Sequence, residues 1–284
     1  MNFSISYRAT YRYDGPVSDE HDVLRLTPQT GENQRVHTFE LAIDPAARLF
    51  RHRDYFGTEA VSINIAEPHE GLEIAADARV ATRPAPEPPD AEPGALEDEE
   101  YRRAGGEFLL PWSTVGRAEE LAGLIEAVRR PRPLEILMAL TETIPARFEY
   151  RRGATYVGST IDDLLEGGAG VCQDFAHLAL AILRRVGIAG RYVSGYLFAS
   201  NGNGDENASA EVDTHAWVEA LLPGGDAGPR WVGIDPTNAK LAGPDHVKIG
   251  HGRNYADVPP LRGVYRGQAR AEHEVKVRMV NLDA

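Results

Sequence analysis

From Phe3 to Tyr13 the chain alternates without a break: Phe3, Ile5, Tyr7, Ala9, Tyr11 and Tyr13 on one side, Ser4, Ser6, Arg8, Thr10 and Arg12 on the other. A period of two sends the first set to one face of an extended strand, so this segment must lie in a sheet with that face on a core. Asp14-Gly15-Pro16 then reads as a turn. Shorter alternations follow at Leu24 and Leu26, at Phe39, Leu41 and Ile43, at Val61, Ile63 and Ile65, and at Leu72 and Ile74, with Pro, Gly and Asp clusters between them. With no helical period intervening, residues 1–83 are expected to form an antiparallel sheet or a small sandwich. His21, His37, His52 and His69 fall here without ligand spacing and are expected to be solvated or hydrogen-bonded at the surface.

The composition then changes. Pro84, Pro86, Pro88, Pro89 and Pro93 are interleaved with acidic residues, which marks an exposed linker, taken as residues 84–115. Beyond it the period becomes helical. Ala118, Leu121, Ala122, Ile125 and Val128 recur at three and four, and Pro133 opens a second helix through Leu134, Leu137 and Met138 that Pro145 should end. Thr160-Ile161-Asp162-Asp163 has the form of a capping box at the head of a short helix.

Phe175, Leu178, Ala179, Ile182, Leu183 and Val186 give the stripe of an amphipathic helix, with glycines crowding its start and Gly187 after its end. Cys172, the chain's one cysteine, falls in the first turn. There, unpaired backbone N–H groups and the positive end of the helix dipole favour a thiolate. The same position suits a buried, inert thiol, so the residues downstream decide.

Thr214 to Leu222 reads as a strand carrying His215, Trp217, Glu219 and Leu221 on one face, and Pro223 to Pro229 turns it back into Arg230 to Asp235. Facing residues of an antiparallel pair have numbers that add to a constant, here about 452. An even constant puts His215 and Asp235 on one face, opposite or one diagonal apart. Thioester-forming acyl transfer needs a thiol held as thiolate, a base, and a group that orients the base. Cys172, His215 and Asp235 are those three types, and they come from a helix start and two neighbouring strands. Asn201 to Asp213 reads as a polar loop long enough to act as a lid. Asp174 suits dipole compensation. His177 lies too far around the helix to reach the thiol, and Asp245, His246 and His251 are irregularly spaced, which suits a solvated loop better than a metal site.

Thirty basic against 43 acidic residues leave a net charge of −13. That disfavours binding to nucleic acid or to an anionic membrane. A single cysteine makes no intrachain disulfide, and neither a leader-like amino terminus nor a long apolar run is present, so a reducing cytoplasm is expected.

Four blocks in order, Gly170-Val171-Cys172-Gln173-Asp174-Phe175-Ala176, Gly190 to Tyr196, His215-Ala216-Trp217-Val218-Glu219 and Trp231 to Thr237, resemble the transglutaminase-like family of papain-like cysteine enzymes. Leu24 to Pro28 and Asp54-Tyr55-Phe56-Gly57 resemble the β domain that precedes this core in bacterial members. The resemblance implies an α+β protein. A β-sandwich-like domain (1–83) would be followed by the linker and by a catalytic domain (116–284) of helices packed on an antiparallel sheet. It also implies a triad of Cys172, His215 and Asp235 acting on a protein or peptide amide, by hydrolysis in preference to cross-linking; amine transfer and a non-catalytic scaffold are the alternatives. No metal or other cofactor is implied, and no D-x-D-x-D-G run is present, so calcium independence is expected. Tyr150 or Tyr156 would supply a second oxyanion donor.

Overall fold

The computed structural model describes residues 1–198, 210–212 and 214–283. Its spine is β1 (Asn2–Leu24), whose Phe3, Ile5, Tyr7 and Ala9 are buried as their period requires. The strand does not turn at Asp14-Gly15-Pro16, as the sequence suggested. It runs on, with its register slipping between Arg12 and Val17. Proline removes one ladder donor, and a bulge is where a sheet tolerates that loss, so the expected turn is instead a bend in one strand.

Four more strands follow: β2 (Gln34–Asp44), β3 (Arg48–Arg53), β4 (Glu59–Ile65) and β5 (His69–Thr82). Before the bend β1 pairs with β5; after it, β1 pairs with β4. His69 departs from the surface expectation: its ring lies 2.6 Å from Glu20, with both side chains nearly sequestered from water.

The linker region is anchored by α1 (Glu99–Gly105). Tyr101 is buried, its hydroxyl donating to the Leu221 carbonyl at 3.1 Å and accepting from the Ala189 amide at 2.9 Å. Next come α2 (Ala118–Val128), α3 (Pro133–Arg147), β6 (Glu149–Tyr150), α4 (Ile161–Gly167), β7 (Ala169–Gly170) and α5 (Cys172–Arg185). Helix α3 continues two residues past Pro145, whose missing N–H costs one bond in the last turn. The capping box of α4 forms as read: Thr160 Oγ1 accepts from the Asp163 amide and Asp163 Oδ2 from the Thr160 amide at 2.7 Å.

The remaining strands are β8 (Gly190–Leu197), β9 (Ala210–Val212), β10 (Thr214–Leu222), β11 (Arg230–Asp235), β12 (Lys240–Leu241), β13 (His246–Gly252), β14 (Leu261–Arg266) and β15 (Ala271–Asn281). A five-stranded sheet has the order β12-β11-β10-β8-β13. The helices cover one of its faces: Phe175, Leu178, Ile182 and Leu183 of α5 share a core with Ala216, Val218, Ala220 and Leu222 of β10. Strands β14 and β15 return to pair with β1, so the last residues complete the amino-terminal sheet although they follow the helical half in sequence. Of the expected lid, 201–209 and Asp213 lie outside the described residues, while Ala210–Val212 form β9 against β15. Among the described residues, no helix is long and apolar enough to cross a membrane.

Candidate active site

Helix α5 starts at Cys172 because its preceding turn is satisfied from within. The Asp174 carboxylate accepts from the Val171 amide at 2.8 Å and from Thr155 Oγ1 at 2.5 Å, which caps one of the helix's unpaired donors. Burial raises the Asp174 carboxyl against the opposing pull of those two bonds. Gly170 is required here: a Cβ would lie 2.8 Å from both Asp174 Oδ2 and Leu164 Cδ1. The short parallel pair β6–β7 sets Tyr150 beside Gly170, and Tyr150 with Cys172 and His215 lines a cleft of about 310 Å³. Tyr192 and Tyr255 wall the same cleft. Tyr156 is 76% exposed and is not among its lining residues. Cys172 itself is half-buried.

Strands β10 and β11 pair Val218 with Ile234 and Leu222 with Arg230, in each case numbers that add to 452. His215 and Asp235 therefore share a face one diagonal apart, and the Nε2 of His215 lies 2.9 Å from Asp235 Oδ2. That leaves Nδ1 for the sulfur, and the imidazole is hydrogen-bonded to Cys172 as well. Burial alone would lower the His215 pKa, yet bonds to Asp235 and Cys172 outweigh it and push the imidazole up to about 9. His215 is thus held as imidazolium at neutral pH, between a carboxylate and a sulfur.

Asp235 is fully buried and saturated with donors. Its Oδ1 accepts from the amides of Thr237 at 2.9 Å and Asn238 at 3.2 Å; its Oδ2 accepts from His215, from Asn238 Nδ2 at 2.7 Å and from His246 Nε2 at 3.0 Å. Burial works against ionisation, but these donors hold the carboxyl well below the usual carboxylate range. The expectation of a solvated loop around His246 is therefore wrong. His246 is buried at the head of β13, and pairing of β13 with β8 carries it there. His251 lies in the same strand, its Nε2 3.3 Å from Arg191, with burial lowering it to about 3. The signal in the sequence was an acid–histidine pair just ahead of alternating Val247 and Ile249.

His215, Asp235 and His246 offer ligand atoms within 4.8 Å of one another. Both Nε2 atoms contact one carboxylate oxygen directly, in donor–acceptor geometry. An ion would instead sit between them, at roughly 2.0–2.2 Å from each ligand.

Two further motifs serve this arrangement. Gly195, which faces His215 across β8–β10, has no room for a side chain: a Cβ would lie 2.2 Å from the Val247 carbonyl oxygen and 2.5 Å from the Trp217 ring. Trp217 in turn packs beside both histidines, stacked on His215 and edge-on to His246. His177 is packed away from the sulfur, against Trp112 and Tyr192, with its Nε2 accepting from the Tyr255 amide and burial lowering it to about 4.

Residues 3–81 match the model of the bacterial transglutaminase-like N-terminal region, and residues 121–236 that of the transglutaminase-like superfamily. An uncharacterized protein of Mycobacterium tuberculosis is 34% identical over 99% of this chain and 93% of its own length, and one of Mycobacterium leprae is 31% identical over 96% of each. A protein-glutamine gamma-glutamyltransferase of Pseudomonas aeruginosa is 30% identical over 56% of this chain but only 24% of its own length. A solved structure from Cytophaga hutchinsonii, provisionally described as a cysteine protease, covers all of this chain and 91% of its own with a TM-score of 0.77 at 24% identity, which shows a common fold. The chain belongs to the transglutaminase-like superfamily, in the form that carries the bacterial amino-terminal region.

Proposed function

We propose that the protein is a cysteine-dependent enzyme that cleaves a protein or peptide amide through a thioester on Cys172. One observation carries this reading: the His215 imidazole lies between the Cys172 sulfur and the buried Asp235 carboxylate at the edge of an open cleft. The thiolate attacks the amide carbonyl, forming a C–S bond and a tetrahedral oxyanion. That oxyanion would be met by the backbone amide at the start of α5 and by Tyr150. His215 passes its proton to the leaving nitrogen as the C–N bond breaks. Water then attacks the thioester and gives one proton back to His215. The C–S bond breaks, an acid leaves, and the thiolate–imidazolium pair is restored.

Hydrolysis is favoured over amine transfer because water is always at hand, whereas transfer needs an amine held against the acylated sulfur. The test acylates the protein with a peptide library, identifies the modified residue by mass spectrometry, and lets a primary amine compete with water. Release of free acid with the amine in excess supports hydrolysis; formation of the amide product would make the protein a transferase.

A further inference from the structure

We propose that Tyr192 is a further catalytic residue, whose hydroxyl donates a hydrogen bond to the oxyanion that forms when Cys172 attacks the substrate carbonyl. The proposal rests on the thioester reading above and adds a second side-chain donor to Tyr150. Its starting point is a hydroxyl that the fold buries and leaves unused. Tyr192 is only 2% exposed, yet it lines the catalytic cleft together with Cys172 and His215. Its hydroxyl has no hydrogen-bond partner among the described residues, and it is not one of the polar atoms sealed inside the packing, so the surface it keeps opens on the cleft. A buried phenol ordinarily finds a partner. Tyr13 and Tyr101 do so, donating to Glu20 at 2.5 Å and to the Leu221 carbonyl at 3.1 Å. A donor withdrawn from the fold's own bonding and turned to the cleft serves what binds there.

The side chain is held from several directions. Tyr192 lies on β8, an inner strand, paired with Val218 of β10 on one side and Gly252 of β13 on the other. Its ring packs against His177 with centroids 5.2 Å apart, more than one turn along α5 from Cys172, and meets the Tyr255 ring edge-on at 6.2 Å. Tyr255 walls the cleft too, but of the two hydroxyls only that of Tyr192 lies close enough to Cys172 to interact with it electrostatically. Burial raises the Tyr192 pKa well above its ordinary value, and the neighbouring Cys172 adds to the effect, so the hydroxyl keeps its proton through the neutral range.

The chemistry follows from what the carbonyl oxygen becomes. As the C–S bond forms, the C=O π pair moves onto oxygen, and any hydrogen bond to that oxygen strengthens as its charge grows. An alkoxide has three lone pairs, one each for the backbone amide at the start of α5, for Tyr150 and for Tyr192. The proton stays on Tyr192 throughout. His215 still supplies the one that the leaving nitrogen takes, so the hydroxyl stabilises the oxyanion without entering the proton transfers.

The test compares the native protein with Tyr192→Phe, which keeps the ring and its packing and removes one oxygen. Acylation of Cys172 by an activated peptide ester, followed by mass spectrometry over a range of ester concentrations, should slow by about a hundredfold at saturation. The half-saturating concentration should not move, because the bond to the hydroxyl is made in the transition state. Alkylation by iodoacetamide displaces iodide at a saturated carbon and forms no oxyanion, so its rate should stay within about twofold of native. The urea midpoint should stay native as well, since the hydroxyl has no protein partner to lose. Acylation at the native rate means that the hydroxyl serves only cleft water, and overturns the proposal. Acylation and alkylation slowed by one common factor, or a lowered midpoint, would assign the hydroxyl to the fold and overturns it equally. If the native protein itself forms no adduct on Cys172, the thioester reading falls and takes this one with it; an adduct that forms equally fast on both proteins removes this proposal alone.

Discussion

Replacing Asp235 with asparagine keeps the side chain's size and removes its charge. In the native site His215 titrates at about 9, despite burial that drives an imidazole the other way, because Asp235 and Cys172 hold its proton. If loss of the carboxylate returns His215 to its ordinary 6.5, the change is about 2.5 pH units, or about 3.4 kcal/mol. At pH 7.5 the imidazolium share then falls from about 97% to about 9%. The Cys172 sulfur loses its cationic neighbour with it. The rate of Cys172 alkylation by iodoacetamide at pH 7.5 should drop by about tenfold, because the cation beside the sulfur is lost. There is a structural penalty as well. The amide has one accepting oxygen where the carboxylate had two, so its NH₂ must face either the Thr237 and Asn238 amides or the three donors at Oδ2. That should cost about 2–4 kcal/mol, seen as a lower urea midpoint. An alkylation profile identical to the native one, in a variant of native stability, would refute the reasoning about what holds His215 charged.

Three other outcomes are expected. Gly195→Ala should lower stability by more than about 2 kcal/mol in chemical denaturation, since the new methyl meets a backbone oxygen at 2.2 Å as well as the Trp217 ring; native stability would show that β8 and β13 give way easily. Tyr101→Phe leaves the buried Leu221 carbonyl and Ala189 amide without their shared hydroxyl and should cost about 1–3 kcal/mol, while the steady-state profile with pH stays native. Asp22, buried in the amino-terminal sheet, titrates at about 7, raised by burial first and by Glu20 second, with one carboxylate oxygen unpartnered. Its folded value lies above the unfolded 3.8, so the native state holds the extra proton and stability falls as pH rises from about 4 to 7, by at most roughly 4 kcal/mol. Asp22→Asn should remove that decline, and equal pH dependence of the melting temperature in both proteins would exclude it.

The parts of this architecture that could be read from the chain are those fixed by local period and by one turn. The β10–β11 register followed from parity, and with it the shared face of His215 and Asp235; the place of Cys172 at the head of α5 followed from the apolar stripe behind it. Pairings between distant segments left no such trace. That β13 lies beside β8 is a contact between strands some fifty residues apart, and only this pairing buries His246 behind Asp235. The bend in β1 was misread for a related reason. Asp-Gly-Pro serves a turn and a bulge equally well, and the choice depends on β4, β5, β14 and β15 waiting on either side. Likewise His69 looks like a surface histidine until Glu20, forty-nine positions earlier, is placed against it.

The most direct measurement of the central claim is mass spectrometry of the protein quenched in acid after mixing with an activated peptide ester. An acyl adduct is expected on the peptide containing Cys172, absent in Cys172→Ala and at least tenfold slower to form in His215→Ala at pH 7.5. An adduct that forms at the same rate without His215, or that maps to another residue, would contradict it.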